Sequence, residues 1–190
     1  REAVPVIGHS FGAVVALRAA VERPGRVSSL VVIEPPFYAA LEGNYMQQTV
    51  FSEMAAVKRN VESGNFVMAA KEFVKSWGTG QPWDEIEPAQ RNYMMPRMDL
   101  VIAGEGLLWK DKANLLGEGR LEQIDIPVTL VEGDASHPAM TPIIDAIGRR
   151  IPEAEGIIVP GAGHMVPMTH PVAVAEAVRP RLVWGFPEDD

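Results

Sequence analysis

The sequence predicts an α/β protein: a parallel sheet of about four strands flanked by helices, with a helical segment inserted between the second strand and the third. Three observations predict it. First, the apolar run from Val4 passes into the helix-forming run from Phe11 through Gly8-His9-Ser10-Phe11-Gly12. Second, residues 27–33 follow one helix later as a run rich in β-branched residues, the pattern of a parallel strand buried on both faces. Third, residues 37–120 carry Met, Ala and aromatic residues at helical spacing with few β-branched runs, and strand patterns then return at 128–131 and 157–159. The chain thus divides into a core of residues 1–36 and 121–190 and a helical insertion of residues 37–120.

Taken in order, residues 4–8 are expected as a buried strand and 11–22 as a helix closed by Pro24-Gly25. The strand over 27–33 stops at Pro35-Pro36, and the strand-helix-strand spacing supports a right-handed crossover between parallel neighbours. In the insertion, 44–63 and 65–77 read as two amphipathic helices separated by Ser63-Gly64, and 87–110 as one or two more, broken at Pro96 and between Gly104 and Gly106. Met94, Met95, Met98, Phe66, Phe73, Trp77, Trp83 and Trp109 are expected to pack between these helices, with a few facing Ser10 to shape an apolar pocket. A helix over 142–151, a last strand over 157–159 and a closing helix over 171–182 complete the core, and the tail 187–190 is expected to fray.

Composition narrows the function. With 190 residues, 47% of them hydrophobic, the chain has the apolar material for one sizeable core. A formal net charge of −8 argues against nucleic acid as a partner, because phosphate binding needs clustered Lys and Arg. The absence of cysteine removes disulfides and thiolate metal sites and is compatible with a cytoplasmic location. No apolar run approaches the ~20 residues of a membrane span, so no membrane partner is expected. No cluster of His and carboxylates has metal-ligand spacing, so no cofactor is implied.

The elbow carries the chemistry. A serine hydroxyl becomes a nucleophile when it is held exposed at a sharp strand-to-helix turn within reach of a histidine. Such a turn crowds its neighbours, which predicts glycine at Gly8 and Gly12. The amide of Phe11, one residue past Ser10 at the start of the helix, is free to donate to an oxyanion. Among four histidines, His164 follows a strand and the turn Gly161-Ala162-Gly163 at the sheet edge where the serine also sits, which marks it as the general base. His9 reads as a packing or supporting residue, His170 as serving the start of the last helix, and His137 as a solvated loop side chain.

These motifs resemble the α/β-hydrolase superfamily, in its serine-nucleophile subgroup with a helical cap. Besides the elbow, the resemblance rests on Val31-Val32-Ile33-Glu34-Pro35-Pro36, on Pro127-Val128-Thr129-Leu130-Val131-Glu132-Gly133-Asp134, and on Gly156-Ile157-Ile158-Val159-Pro160-Gly161-Ala162-Gly163-His164. It implies the C-terminal part of that fold, with further strands and a second oxyanion amide before the elbow, so the chain reads as a fragment. An exposed sheet edge at the elbow strand would then favour a homo-oligomer. The resemblance also implies acyl transfer to water through an acyl-enzyme, with a small-molecule ester as the default substrate. Carbon–carbon bond hydrolysis, a ligand-binding homologue and a catalytically silent fragment are the alternatives. The acid stays open. Many family members place it third after the glycine that ends the penultimate strand, and here that residue is Ser136; others place it one strand earlier, where Glu34 stands. We favour Glu34, with Asp134 left open.

Overall fold

The computed structural model describes residues 2–182; the expected frayed tail, 187–190, lies outside them. Strands β1 (Val4–His9), β2 (Val27–Ile33), β3 (Val128–Gly133) and β4 (Ala154–Val159) form one sheet in that spatial order, every neighbouring pair parallel. Four parallel strands in sequence order require each connection to cross over a sheet face. Helix α1 (Phe11–Glu22) makes the first crossover, the long insertion the second, and α7 (Met140–Gly148) the third.

Strand β2 shows how the core is divided. Its residues alternate between faces, as a period of two requires. Leu30 and Val32 join Val14 and Leu17 of α1 and Ile143 and Ile147 of α7 in the larger core cluster. Val31 and Ile33 instead pack with Val131, Val159, Val166 and Val174, the last two from α8 (Val166–Thr169) and α9 (Pro171–Val178). The sheet is therefore covered on both faces. The closing helix is shorter than expected, ending in a 3-10 turn over Arg179–Arg181, and Arg181 ties it down by donating from Nε to Thr129 Oγ1 at 2.9 Å.

Strand β1 departs from the expectation of a buried strand. It is an edge, with only Gly8 buried and with Val4 47% and Ile7 46% exposed, because β2 covers one side of it and no strand among the described residues covers the other.

The insertion is helical. It contains α2 (Met46–Glu62), α3 (Phe66–Trp77), α4 (Pro88–Met94), α5 (Met98–Ala103) and α6 (Glu105–Leu108). Asn65 starts α3 by accepting a hydrogen bond from the Met68 amide, an N-cap that supplies one of the unpaired donors of the first turn. The breaks fall at the 3-10 turn Met95–Arg97, which holds Pro96, and at Gly104. Val57, Ala69, Ala70 and Met98 form the insertion's own small core, while Tyr38, Leu41, Val50 and Trp77 join the main one. The helices are thereby anchored over the carboxyl edge of the sheet. Among the described residues, no helix is long and apolar enough to cross a membrane.

Candidate functional site

The first residue after each of the first three strands carries a polar side chain: Ser10 after β1, Glu34 after β2 and Asp134 after β3. The ladder of backbone hydrogen bonds runs on into each of them, from Ser10 N to Ile33 O at 2.9 Å, Glu34 N to Val131 O at 2.9 Å and Asp134 N to Val159 O at 3.3 Å. Sheet register thus sets the three side chains at one edge. Ser10 and Glu34 both adopt left-handed backbone, with φ of 54° and 51°. Non-glycine residues there cost about 1–3 kcal/mol each and persist only where the surroundings impose them. The strain at Ser10 is that of the predicted elbow; the strain at Glu34 has no signal in the sequence.

Gly8 is required by packing, since a Cβ there would lie 2.4 Å from the Gly12 carbonyl oxygen. Gly12 is not: among the described residues a Cβ on it would meet nothing within 4 Å, so the expected need for glycine on both sides of the serine holds on one side only.

His164 reaches the serine from beyond β4. Gly133 makes this route passable, because a Cβ on it would lie 2.0 Å from the Ala162 carbonyl oxygen. The loop therefore crosses the end of β3 and delivers His164 to the strand beyond. Its Nε2 lies 2.9 Å from Ser10 Oγ and its Nδ1 3.1 Å from Glu34 Oε2. The carboxylate can only accept, so Nδ1 carries the proton and Nε2 is left to take the serine hydroxyl's. Glu34 is fully buried and His164 nearly so. A buried carboxylate needs its oxygens occupied. Glu34 Oε1 accepts from the Gly133 amide at 2.7 Å and from Ser136 Oγ at 2.6 Å, leaving Oε2 for the histidine.

Of the two carboxylates left open by the sequence, Glu34 is the one brought to His164. Asp134 Oδ1 instead accepts from the Gly161 amide at 2.6 Å, where it braces the loop that carries His164. His9 supports the same loop, its Nε2–H donating to the His164 carbonyl at 2.8 Å. Burial lowers the His9 pKa, and the hydrogen bond to His164 only partly offsets this. His170 stands at the N-terminus of α9. His137 is not solvated: its side chain is 8% exposed, stacks on Trp77 with ring centroids 5.0 Å apart, and places Nε2 3.2 Å from Glu53 Oε2. The sequence view missed it because Glu53 and Trp77 come from the insertion.

Above the serine lies a cavity of about 510 Å³ lined by Ser10, Phe11, Tyr38, Phe73, Trp77 and His164, among others. Phe73 and Trp77 are thus the members of the predicted aromatic set that face the serine. Tyr38, which also walls a second cavity of about 300 Å³ beside Trp109, carried no sequence signal. Phe11 is the first residue of α1, so its amide has no carbonyl one turn earlier to bond. Among the described residues no group of three or more His, Cys, Asp or Glu is placed to hold a metal.

Comparison with known proteins places the chain in a family. A model described as "Alpha/beta hydrolase family" matches residues 3–177. Lipase LipV of Mycobacterium tuberculosis is 25% identical over an alignment 189 positions long that covers 94% of this chain and 68% of that protein. Among solved structures, a thermophilic esterase superposes with a TM-score of 0.66 at 24% identity, over 95% of this chain and 66% of its own. Proline iminopeptidase of Mycobacterium smegmatis gives 0.57 at 21% identity, over 95% and 65%. The carboxylesterase CesB of Bacillus subtilis gives 0.62 at 22%, over 94% and 59%. These structural likenesses bear on fold, and the chain spans about two thirds of the length of the proteins it matches.

Proposed function

Because the chain belongs to the alpha/beta hydrolase family, we propose that it is a serine hydrolase that cleaves an ester or related acyl substrate through an acyl-enzyme. In this reading Ser10 Oγ attacks the substrate carbonyl while His164 Nε2 takes its proton. Glu34 holds the imidazole in the tautomer with hydrogen on Nδ1 and stabilises the cation that forms. The Phe11 amide donates to the developing oxyanion, and the positive end of α1 adds to that field. His164 then returns its proton to the leaving group, and water enters by the same base to release the acid. The helices of residues 37–120 act as a cap that keeps the acyl group in the apolar cavity. The lipase and esterase names among the relatives agree with an ester substrate.

The observation that carries the proposal is the unbroken hydrogen-bonded series from Ser10 through His164 to a fully buried Glu34, at 2.9 and 3.1 Å, on the floor of the cavity. Labelling with a fluorophosphonate, alongside turnover of short p-nitrophenyl esters, tests it. The parent chain should label and hydrolyse, and Ser10→Ala and His164→Ala should each lose hydrolysis by at least about 10³-fold. A folded parent that neither labels nor hydrolyses would favour the ligand-binding or silent alternative, and hydrolysis surviving in Ser10→Ala would remove the serine from the mechanism.

A further inference from the structure

The second cavity, of about 300 Å³, has no part in the chemistry above, and neither Ser10 nor His164 lines it. It lies directly against the first: Tyr38, Met54, Val101 and Leu108 line both, so the same side chains form the wall between them. Ring contacts give its direction from the reacting atoms. Trp77 lies 5.1 Å from His164, Tyr38 5.6 Å from Trp77, and Trp109, on the wall of the second cavity, 4.7 Å from Tyr38. The second cavity therefore lies beyond the first as seen from His164.

The cap helices explain why this space exists. Phe51, Met54, Ala55 and Lys58 recur at i, i+3, i+4 and i+7, which puts them on one face of α2, and Ile102 of α5 and Leu108 of α6 wall the cavity from the other side. Ala55 is the small member of that face and leaves room that a larger side chain would fill. Lys58 Nζ meets Glu105 Oε2 at 3.1 Å and Lys110 Nζ meets Glu105 Oε1 at 2.8 Å, and these partly exposed charges stand at the solvent end. Further in, the lining is aliphatic and aromatic. Atoms that line an apolar cavity lack packing partners on one side, and a chain of methylenes supplies them.

We propose that the second cavity receives the distal end of a straight hydrocarbon chain of the substrate while the ester group stands at Ser10. The substrates are then esters of long unbranched chains. Met54 is the passage between the two spaces: its side chain is unbranched, so it yields to a chain at less cost than the other members of the wall. The subsite deepens the hydrolase reading and rests on it for the ester. The chain belongs to the acid or to the alcohol, and the test separates the two.

The test uses binding to the Ser10→Ala chain, which needs no turnover, followed by tryptophan fluorescence. One series is methyl hexanoate, octanoate and decanoate; the other is hexyl, octyl and decyl acetate. Each methylene moved from water into an apolar site raises affinity by up to about fourfold. In one series the longest ester should bind at least about tenfold more tightly than the shortest. That ratio should fall about tenfold when Ala55→Phe or Ile102→Phe, which fill only the second cavity, is added and circular dichroism shows a folded chain. An ester brominated at the chain end reads the same point without filling the cavity. It should quench Trp109, seen as quenching that is lost when Trp109→Phe is added. Ratios near one in both series, ratios unchanged in the folded variants, or quenching unchanged by Trp109→Phe would overturn the subsite. Failure of the parent chain to turn over any ester would overturn the hydrolase reading and leave these ratios readable.

Discussion

Two glutamate–histidine pairs lie on either side of Trp77, and they put the same chemical groups to opposite uses. Trp77 meets His164 edge-on, at 82° between planes, and lies nearly flat on His137, at 26°. In the first pair both side chains are shut away from solvent, at 0% for Glu34 and 3% for His164. In the second, Glu53 keeps 37% of its side chain exposed. The nitrogen not facing the carboxylate decides the difference. His164 turns that nitrogen to Ser10 Oγ at 2.9 Å, where it is free to accept the hydroxyl's hydrogen bond. The corresponding nitrogen of His137, Nδ1, already accepts from the Ala139 amide at 3.1 Å, so it has no capacity left for a nucleophile. Glu53 belongs to α2 and His137 to the loop after β3, so this pair joins the helical insertion to the core. A histidine beside a carboxylate is therefore a poor guide to chemistry until the third partner is known.

Substitutions at four positions break or sharpen this contrast. The largest effect is expected for Glu34→Gln, which keeps the shape but removes the charge and disturbs the tautomer. Ester kcat/KM should fall about 10³- to 10⁴-fold, while Asp134→Asn, which weakens only a brace on Gly161, stays within about tenfold of the parent. The reverse order in steady-state assays would move the acid to β3. Next comes Ser136→Ala, which deletes one of two donors to Glu34 Oε1 and leaves the Gly133 amide in place. A loss of about tenfold in kcat with KM little changed, and recovery in Ser136→Thr, would mark Ser136 as positioning the carboxylate; a change in KM alone would not. The smallest effect belongs to Glu53→Gln. A half-exposed pair is worth about 0–1 kcal/mol, so urea unfolding should shift by no more than that and turnover by less than about threefold. A collapse of turnover as deep as that of Glu34→Gln would show that the two pairs act as one.

Much of the fold was legible because its signals are local. The elbow at Gly8 and Ser10, the β-branched run of β2, and the breaks at Pro96 and Gly104 each depend on a few adjacent residues, and each appears in the structure near its expected place. The cofacing of Ser10 and His164 was also legible, since both follow parallel strands and so lie at the same sheet edge. The partner of His137, the role of Ser136 and the position of Tyr38 were not. Each depends on a contact between segments distant in sequence, such as the 102 residues that separate Ser136 from Glu34.

The sequence by itself determined which groups are available and at which edge of the sheet they emerge, because strand periodicity and turn chemistry act over neighbouring residues. Only the tertiary structure decided how they pair. Asp134 and Glu34 stand at equivalent positions after adjacent strands, and the family resemblance favoured Glu34 without deciding between them. The Ala162 carbonyl passes over Gly133 with no room for a Cβ, which carries His164 across β3 to β2 and leaves Asp134 beneath the loop, bound to Gly161. A side chain's role here is set by the path of a loop that it does not belong to.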